Sequence, residues 1–227
     1  MSETQSGQGP SRRALVVRGG WEGHSPVAAT ERFLPFLESS GYDVTVSDSL
    51  EPYADAELMA ATDLVVQCWT MGTITPEQLA GLRTAVEAGT GLAGWHGGIA
   101  DSFRDSSDYL QLVGGSFAAH PGGFVPYTVE VVPERADHPV VQGFTSVALE
   151  TEQYWVLADS ASDVLATTTQ AVREGDPWHA PVVSPAVWAR AWGAGKVFVC
   201  TVGHRPEDLD VPEIRTIVER GLLWASR

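Results

Sequence analysis

Apolar residues gather in short unbroken runs in the first half of the chain, with stretches at helical spacing between them. RALVVRGG (13–20), DVTVSDSL (43–50), TDLVVQCW (62–69) and GLAGWH (91–96) are β-branched or apolar runs that end in polar or turn residues, the signature of short buried strands. After the first run, Ser25 as N-cap and Pro26 at the first helical position predict a helix through about Ser40, kinked at Pro35. A second helix starts at Thr75, where Pro76 and Gln78 complete a capping box. It carries Leu79, Leu82 and Val86 on one face and stops at Gly89. Strand and helix alternate, so a parallel sheet covered by helices on both sides with right-handed crossovers is the economical architecture.

From 115 to 200 the pattern changes. VPYTVEVV, SVALET, YWVLA, DVLATTT, PAVWARAW and GKVFVCTVG are strand-like pieces with short connections, and they predict an antiparallel extension of the sheet. WARAWGAGKVFV reads as a hairpin turning at Gly193-Ala194-Gly195. Asp210, Pro212 and Glu213 open a last helix, with Ile214, Ile217, Val218 and Leu222 on its buried face. Residues 1–12 are polar and Gly/Ser-rich without the pattern of a signal peptide, so a disordered tail is expected there and a single domain over 13–227.

Composition narrows the function. A formal charge of −15 with only 14 dispersed Lys and Arg excludes the basic footprint that nucleic acid requires, and no apolar run reaches the length of a membrane span. Neutral ligands such as sugars remain. Cys68 and Cys200 sit inside apolar runs as small core residues, which fits a reduced, cytoplasmic protein.

The chemistry-bearing signal is GWHGG at 94–98. It has the Gly-x-X-x-Gly layout of a nucleophile elbow, with His96 where serine or cysteine usually stands. A tight turn of that kind is seldom given to a residue without a task. A second histidine, His204, ends the late strand of VFVCTVGHRPED, and His24 follows the first strand at the same carboxyl rim, where ligands of such sheets collect. Glu152 and Tyr154 alternate, so they are expected to face one side of a strand. Asp101 reads equally well as the N-cap of a helix holding Asp108, Tyr109 and Leu110. Arg18, Trp21, Trp69 and Trp95 lie close to strand ends, where a ligand would lie. The doubled glycines at 19–20, 97–98 and 114–115 lack the spacing of a dinucleotide fingerprint. His138 and His179 sit in Pro-bounded turns and are set aside.

GHSP (23–26), WHGGIADSF (95–103), LVGGSFAAHP (112–121), HPVVQGF (138–144), ETEQYW (150–155) and GKVFVCTVGHRPED (195–208) occur in order over nearly the whole chain. Together they resemble the trehalose-utilisation (ThuA-like) branch of the class I glutamine amidotransferase-like superfamily. The resemblance implies a flavodoxin-like α/β fold with an antiparallel β extension and a role in carbohydrate catabolism, often beside oxidoreductases that make 3-keto derivatives of glycosides. It departs from the superfamily at the elbow, where imidazole cannot perform the thioester chemistry of a glutaminase. It departs again at Thr151, where the family often has Asp. Carried over residue by residue, it points to His24, His96, Glu152 and His204 as catalytic and adds His120 to the pocket ring, with Asp101 a weaker member.

The resulting expectation is acid-base chemistry on a sugar or 3-keto-glycoside, with hydrolase, lyase and isomerase types all open. Trp21, Trp69 or Trp95 would stack on the ring, with Tyr154 and Arg18 nearby. The competing reading is a Zn²⁺ or Mn²⁺ ion held by the same residue types, with no ligands assigned because the local spacing of a zinc motif is absent. A non-catalytic small-molecule binding module on the same scaffold is the alternative, and a homo-oligomer stays open.

Overall fold

The structure, a computed structural model, describes residues 12–227. Strand β1 (Arg12–Gly20) begins at Arg12, so the tail expected over 1–12 otherwise lies outside the described residues. Its interior is buried on both faces. Ala14 and Val16 join one apolar cluster and Leu15 and Val17 the other, as the two-residue period of a central strand demands.

The chain continues through α1 (Pro26–Glu31), α2 (Leu34–Ser39), β2 (Tyr42–Ser47), α3 (Ala56–Ala61), β3 (Leu64–Thr70), α4 (Pro76–Glu87) and β4 (Gly91–Trp95). One continuous helix was expected over 25–40. The chain instead breaks into two, because the α2 register restarts with Pro35 in its first turn, where the missing N–H costs nothing. Helix α3, with Asp55 accepting from the amides of Glu57 and Leu58, was not foreseen in the sequence. The Thr75–Gln78 capping box of α4 is present in both directions.

After α5 (Gly97–Ala100) and α6 (Ser107–Val113) come β5 (Gly115–Ala119), β6 (Phe124–Val131), β7 (Ser146–Glu152), β8 (Trp155–Ala158), β9 (Asp163–Gln170), β10 (Val182–Trp192), β11 (Gly195–Cys200) and α7 (Pro212–Ala225). Nine strands form one sheet in the order β2-β1-β3-β4-β11-β10-β9-β6-β7, while β5 and β8 pair separately. The first five in that order are parallel, and from β10 onward every pairing is antiparallel. The expected antiparallel extension therefore needs one correction. Strand β11 returns to the parallel core beside β4, with Val197 opposite Leu92 and Cys200 opposite Trp95, and joins the two halves. Its hairpin partner β10 pairs Trp192 with Gly195, leaving a two-residue turn of Gly193 and Ala194.

Helix α7 covers one face of the sheet with Ile214, Ile217, Val218 and Leu222, and α4 covers the other with Leu82 and Val86. Val211, not Asp210, is the N-cap of α7, and Asp210 is turned to Arg32 instead. Cys68 and Cys200 are buried, unpaired thiols. No described helix is long and apolar enough to cross a membrane.

Candidate functional site

Strand β4 delivers His96 into a sharp turn. Its backbone sits at φ 47° and ψ −140°, a conformation that L-residues rarely adopt. Its amide donates to the Cys200 carbonyl at 2.6 Å, and its own carbonyl accepts from the Ala100 amide at 2.9 Å, so the turn is pinned to β11 on one side and to α5 on the other. The two glycines that follow are steric requirements. A Cβ on Gly97 would collide with the His24 ring, and one on Gly98 would run into the backbone of Cys68 on β3. Below α5, Gln67 accepts from the Tyr53 hydroxyl at 3.0 Å and donates to Ser102 Oγ at 3.1 Å. This buried polar network holds the short helix in place.

Around His96 the chain assembles residues from three distant segments. His24 leaves a 3-10 turn after β1, Glu152 ends β7, and His204 follows β11. Ring centroids lie 4.6 Å apart for His24 and His96, 5.0 Å for His24 and His204, and 5.4 Å for His96 and His204. Glu152 Oε2 is 3.3 Å from His96 Nε2 and 3.1 Å from His204 Nδ1. The second distance is that of a hydrogen bond, but the alignment is not, and His204 Nδ1 is buried without a hydrogen-bond partner. His120 stands at the exposed rim, its Nε2 3.7 Å from Glu152 Oε1 and its ring stacked on Phe117.

Each inner imidazole is oriented from behind. His96 Nδ1 lies 2.8 Å from the Thr201 carbonyl, and the Tyr154 hydroxyl is 2.8 Å from His96 Nε2. His24 Nδ1 is 2.8 Å from the buried Thr70 hydroxyl. Burial, then the neighbouring His96 and His204, push the His24 imidazole down to about 3. Burial also lowers His96, against the opposing pull of Glu152. For Glu152 burial works the other way and raises the carboxyl, but contacts with His204 and His96 outweigh it and hold the group below the ordinary carboxylate range. The site thus combines imidazoles that resist protonation with a carboxylate that stays ionised. Among the described residues His24, His96, Glu152 and His204 present ligand atoms within 4.8 Å of one another, so they can also hold a metal ion.

The other expected site residues fall into two groups. Tyr154 joins the cluster, though from the link between β7 and β8 and not from one strand shared with Glu152. Trp21, half exposed, has its ring 4.8 Å from His24, at the mouth. Trp95 does not join them. It is sealed in the core against Phe33, because β4 alternates and the residue before His96 faces the opposite layer. Trp69 packs into the cluster under α4, with its ring against Gly19 and Gly72. Arg18 is spent on Asp48 at 2.7 Å and Thr30 at 3.4 Å. Asp101 is buried and clamped by Arg104, and it does not cap α6, whose N-cap is Ser106. His138 folds back on its own turn, its Nδ1 accepting from the Val140 amide at 3.3 Å.

Sequence reasoning missed Thr70, Thr201 and Phe124. Thr70 and Thr201 stand where β3 and β11 run out, and an exposed Phe124 faces His204 at 5.0 Å across the mouth. Thr70 is the last residue of TDLVVQCWT, so a hydroxyl at a carboxyl strand end was the signal available. A separate cavity of about 530 Å³ opens beside α4, lined by Ile74, Pro76, Leu79, Arg83 and Phe103. Glu87, Asp105 and Asp108 also line it, and its one cation, Arg83, pairs with Asp108 at 3.3 Å and with Glu87 at 4.0 Å. The imidazoles converge elsewhere, with Glu152.

The family profile described as "ThuA: Trehalose utilisation" matches residues 13–225. Solved structures share the fold at low identity. A ThuA-like protein from Bacteroides uniformis is 17% identical with a TM-score of 0.74, over 99% of this chain and 95% of that one. A ThuA-like protein from Parabacteroides merdae is 16% identical at 0.74, over 96% and 90%. A cytoplasmic protein from Salmonella typhimurium LT2 is 16% identical at 0.67, over 95% and 100%. No curated protein matches the chain.

Proposed function

The chain belongs to the trehalose-utilisation (ThuA) family, and from that premise we propose that it acts on a sugar or 3-keto-glycoside by histidine-based acid-base chemistry. One observation carries this reading: three imidazoles and a carboxylate converge where the parallel strands end, on a turn whose backbone is strained at the central histidine.

Burial keeps His96 neutral while Glu152 alongside would stabilise the cation it becomes, which suits a base that takes a proton from a hydroxyl or from a carbon α to a keto group, and His24, held down to about 3, stays neutral beside it. His204, at the mouth and in contact with Glu152, is placed to return a proton to the opposite atom. Tyr154 holds His96 from one side while Thr201 fixes its tautomer from the other. Trp21 and Phe124 flank the opening and suit the apolar face of a pyranose.

The same reading takes the scaffold as flavodoxin-like, of the class I glutamine amidotransferase-like kind, forming one domain over 13–227. The parallel order β2-β1-β3-β4-β11 supports this, as does the elbow geometry of His96. A cytoplasmic setting accords with the buried free thiols and with the Salmonella neighbour. A sugar oxidoreductase would supply the keto group.

The test is turnover of a 3-keto-glycoside by the wild-type protein and by His96→Ala and His204→Ala, with folding checked by circular dichroism. Loss of turnover in both folded variants is expected, by about 10²-fold or more for removal of an acid or base. Turnover unchanged in both variants, or absent from the wild type, would leave a binding module in its place.

A further inference from the structure

The hydrogen bonds behind the histidines say which ring nitrogens face the cluster. A carbonyl oxygen only accepts, so the 2.8 Å contact from Thr201 places the His96 ring proton on Nδ1 and turns the lone pair of Nε2 inward. The Thr70 hydroxyl, 2.8 Å from His24 Nδ1, occupies that nitrogen and leaves Nε2 to the cluster. An inner carboxylate then meets a nitrogen lone pair, Glu152 Oε2 lying 3.3 Å from His96 Nε2, and the misaligned His204 Nδ1, buried without a hydrogen-bond partner, is 3.1 Å from the same oxygen. Among the described residues no Lys or Arg pairs with Glu152; its ion-pair contacts are the imidazoles of His96, His120 and His204. A buried anion facing lone pairs needs positive charge between them.

We propose that His24, His96, Glu152 and His204 bind one divalent first-row metal ion, with Zn²⁺ the preferred occupant. The assigned donors are His24 Nε2, His96 Nε2, His204 Nδ1 and a Glu152 carboxylate oxygen.

Three further observations support the assignment. Ligand atoms within 4.8 Å of one another need only small rotamer shifts to reach the ~2.0–2.2 Å bonds of such an ion. The Thr201 carbonyl on the outer nitrogen of His96 is the kind of outer-shell partner that fixes the tautomer of a ligating histidine, and the Thr70 hydroxyl holds the His24 ring from behind. The donor set, nitrogen-rich with one carboxylate and no thiolate, ranks Zn²⁺ above Mn²⁺. When bound, the ion would polarise an oxygen of the substrate. The inference shares its residues with the proposed reaction but is read without substrate.

The experiment is calorimetric titration of chelator-treated full-length protein with Zn²⁺, and separately with Mn²⁺, together with elemental analysis of the protein as purified. One Zn²⁺ per chain is expected, with weaker Mn²⁺ binding. In His204→Ala and in Glu152→Gln the Zn²⁺ affinity should fall by more than the ~10–100-fold that loss of an outer-shell partner costs. Arg83→Ala, in the separate cavity beside α4, should keep one equivalent. Melting curves identify unfolded variants, and His24→Gln replaces any that fail. Absence of saturable Zn²⁺ uptake by the wild type means that a proton bridges His96 and Glu152, and it overturns the proposal. Equal affinity in the folded ligand variants overturns it as well. Stoichiometric Zn²⁺ without keto-glycoside turnover sinks the reaction and leaves the metal site standing; turnover without uptake does the reverse.

Discussion

The Thr151 hydroxyl donates a 2.6 Å hydrogen bond to the buried carboxylate of Asp208. The bond joins the strand end that carries Glu152 to the loop that carries His204. Arg205 reinforces it, its amide donating to Asp208 at 2.9 Å and its guanidinium to the Glu150 carbonyl at 2.7 Å. Thr151 is thus a clip between two site-bearing segments. Thr151→Val removes one charge-assisted bond and should cost about 1.5–3 kcal/mol in urea denaturation. Because the clip acts through Glu152 and His204, it should also lower kcat while leaving KM nearly unchanged. An unaltered denaturation midpoint would show that Arg205 alone secures the loop.

Gly97 exists to admit His24. Gly97→Ala forces its methyl into that imidazole, so the ring or the turn must move. The expected loss is about 1–3 kcal/mol of stability from overpacking, together with reduced turnover. A crystal structure of the variant with His24 unmoved and full activity retained would contradict this account of the glycine.

Acid should weaken the metal-stripped protein earlier than ordinary carboxylates require. His24 titrates near 6.5 when unfolded but at about 3 when buried among His96 and His204, so between those values the unfolded chain holds the extra proton. Its contribution is intact above about pH 6.5 and drains away as the pH falls toward 3. Glu152, held low in the folded state, adds a loss of the same sign below the ordinary carboxylate value of 4.5. Urea midpoints should therefore fall steadily from pH 7 to pH 4, with a shallower slope in His24→Asn. A flat profile across that range would refute the buried-imidazole account.

Both cysteines should be silent toward thiol reagents. Burial pushes each thiol up to about 12, so neither forms a thiolate near neutral pH. A chromogenic disulfide reagent at pH 8 should titrate no thiol in the native protein and two in urea. Rapid native labelling would mean that Cys68, against which Gly98 packs, is reached through an opening of α5.

Much of this molecule was legible in the linear chain because its signals are local. Apolar runs at period two mark the strands of the core, and the Thr75–Gln78 box and the glycine-flanked turn at His96 are decided by neighbouring residues. Strand pairing is not local: nothing in GKVFVC distinguishes an edge of an antiparallel extension from the parallel neighbour of β4, and only packing against Leu92 and Ala93 decides it. The same holds for the tryptophans, since which face of β4 is core and which is cleft separates Trp95 from His96.

By itself the sequence determined the elements, the strained turn and the residue types available for chemistry, since these follow from backbone preference and side-chain identity. Only the tertiary structure decided that residues 24, 96, 152 and 204 meet, that Thr70 and Thr201 aim two of the imidazoles, and that Arg18 is occupied by Asp48. Those facts depend on segments far apart in the chain being drawn together by the burial of apolar surface on both faces of the sheet.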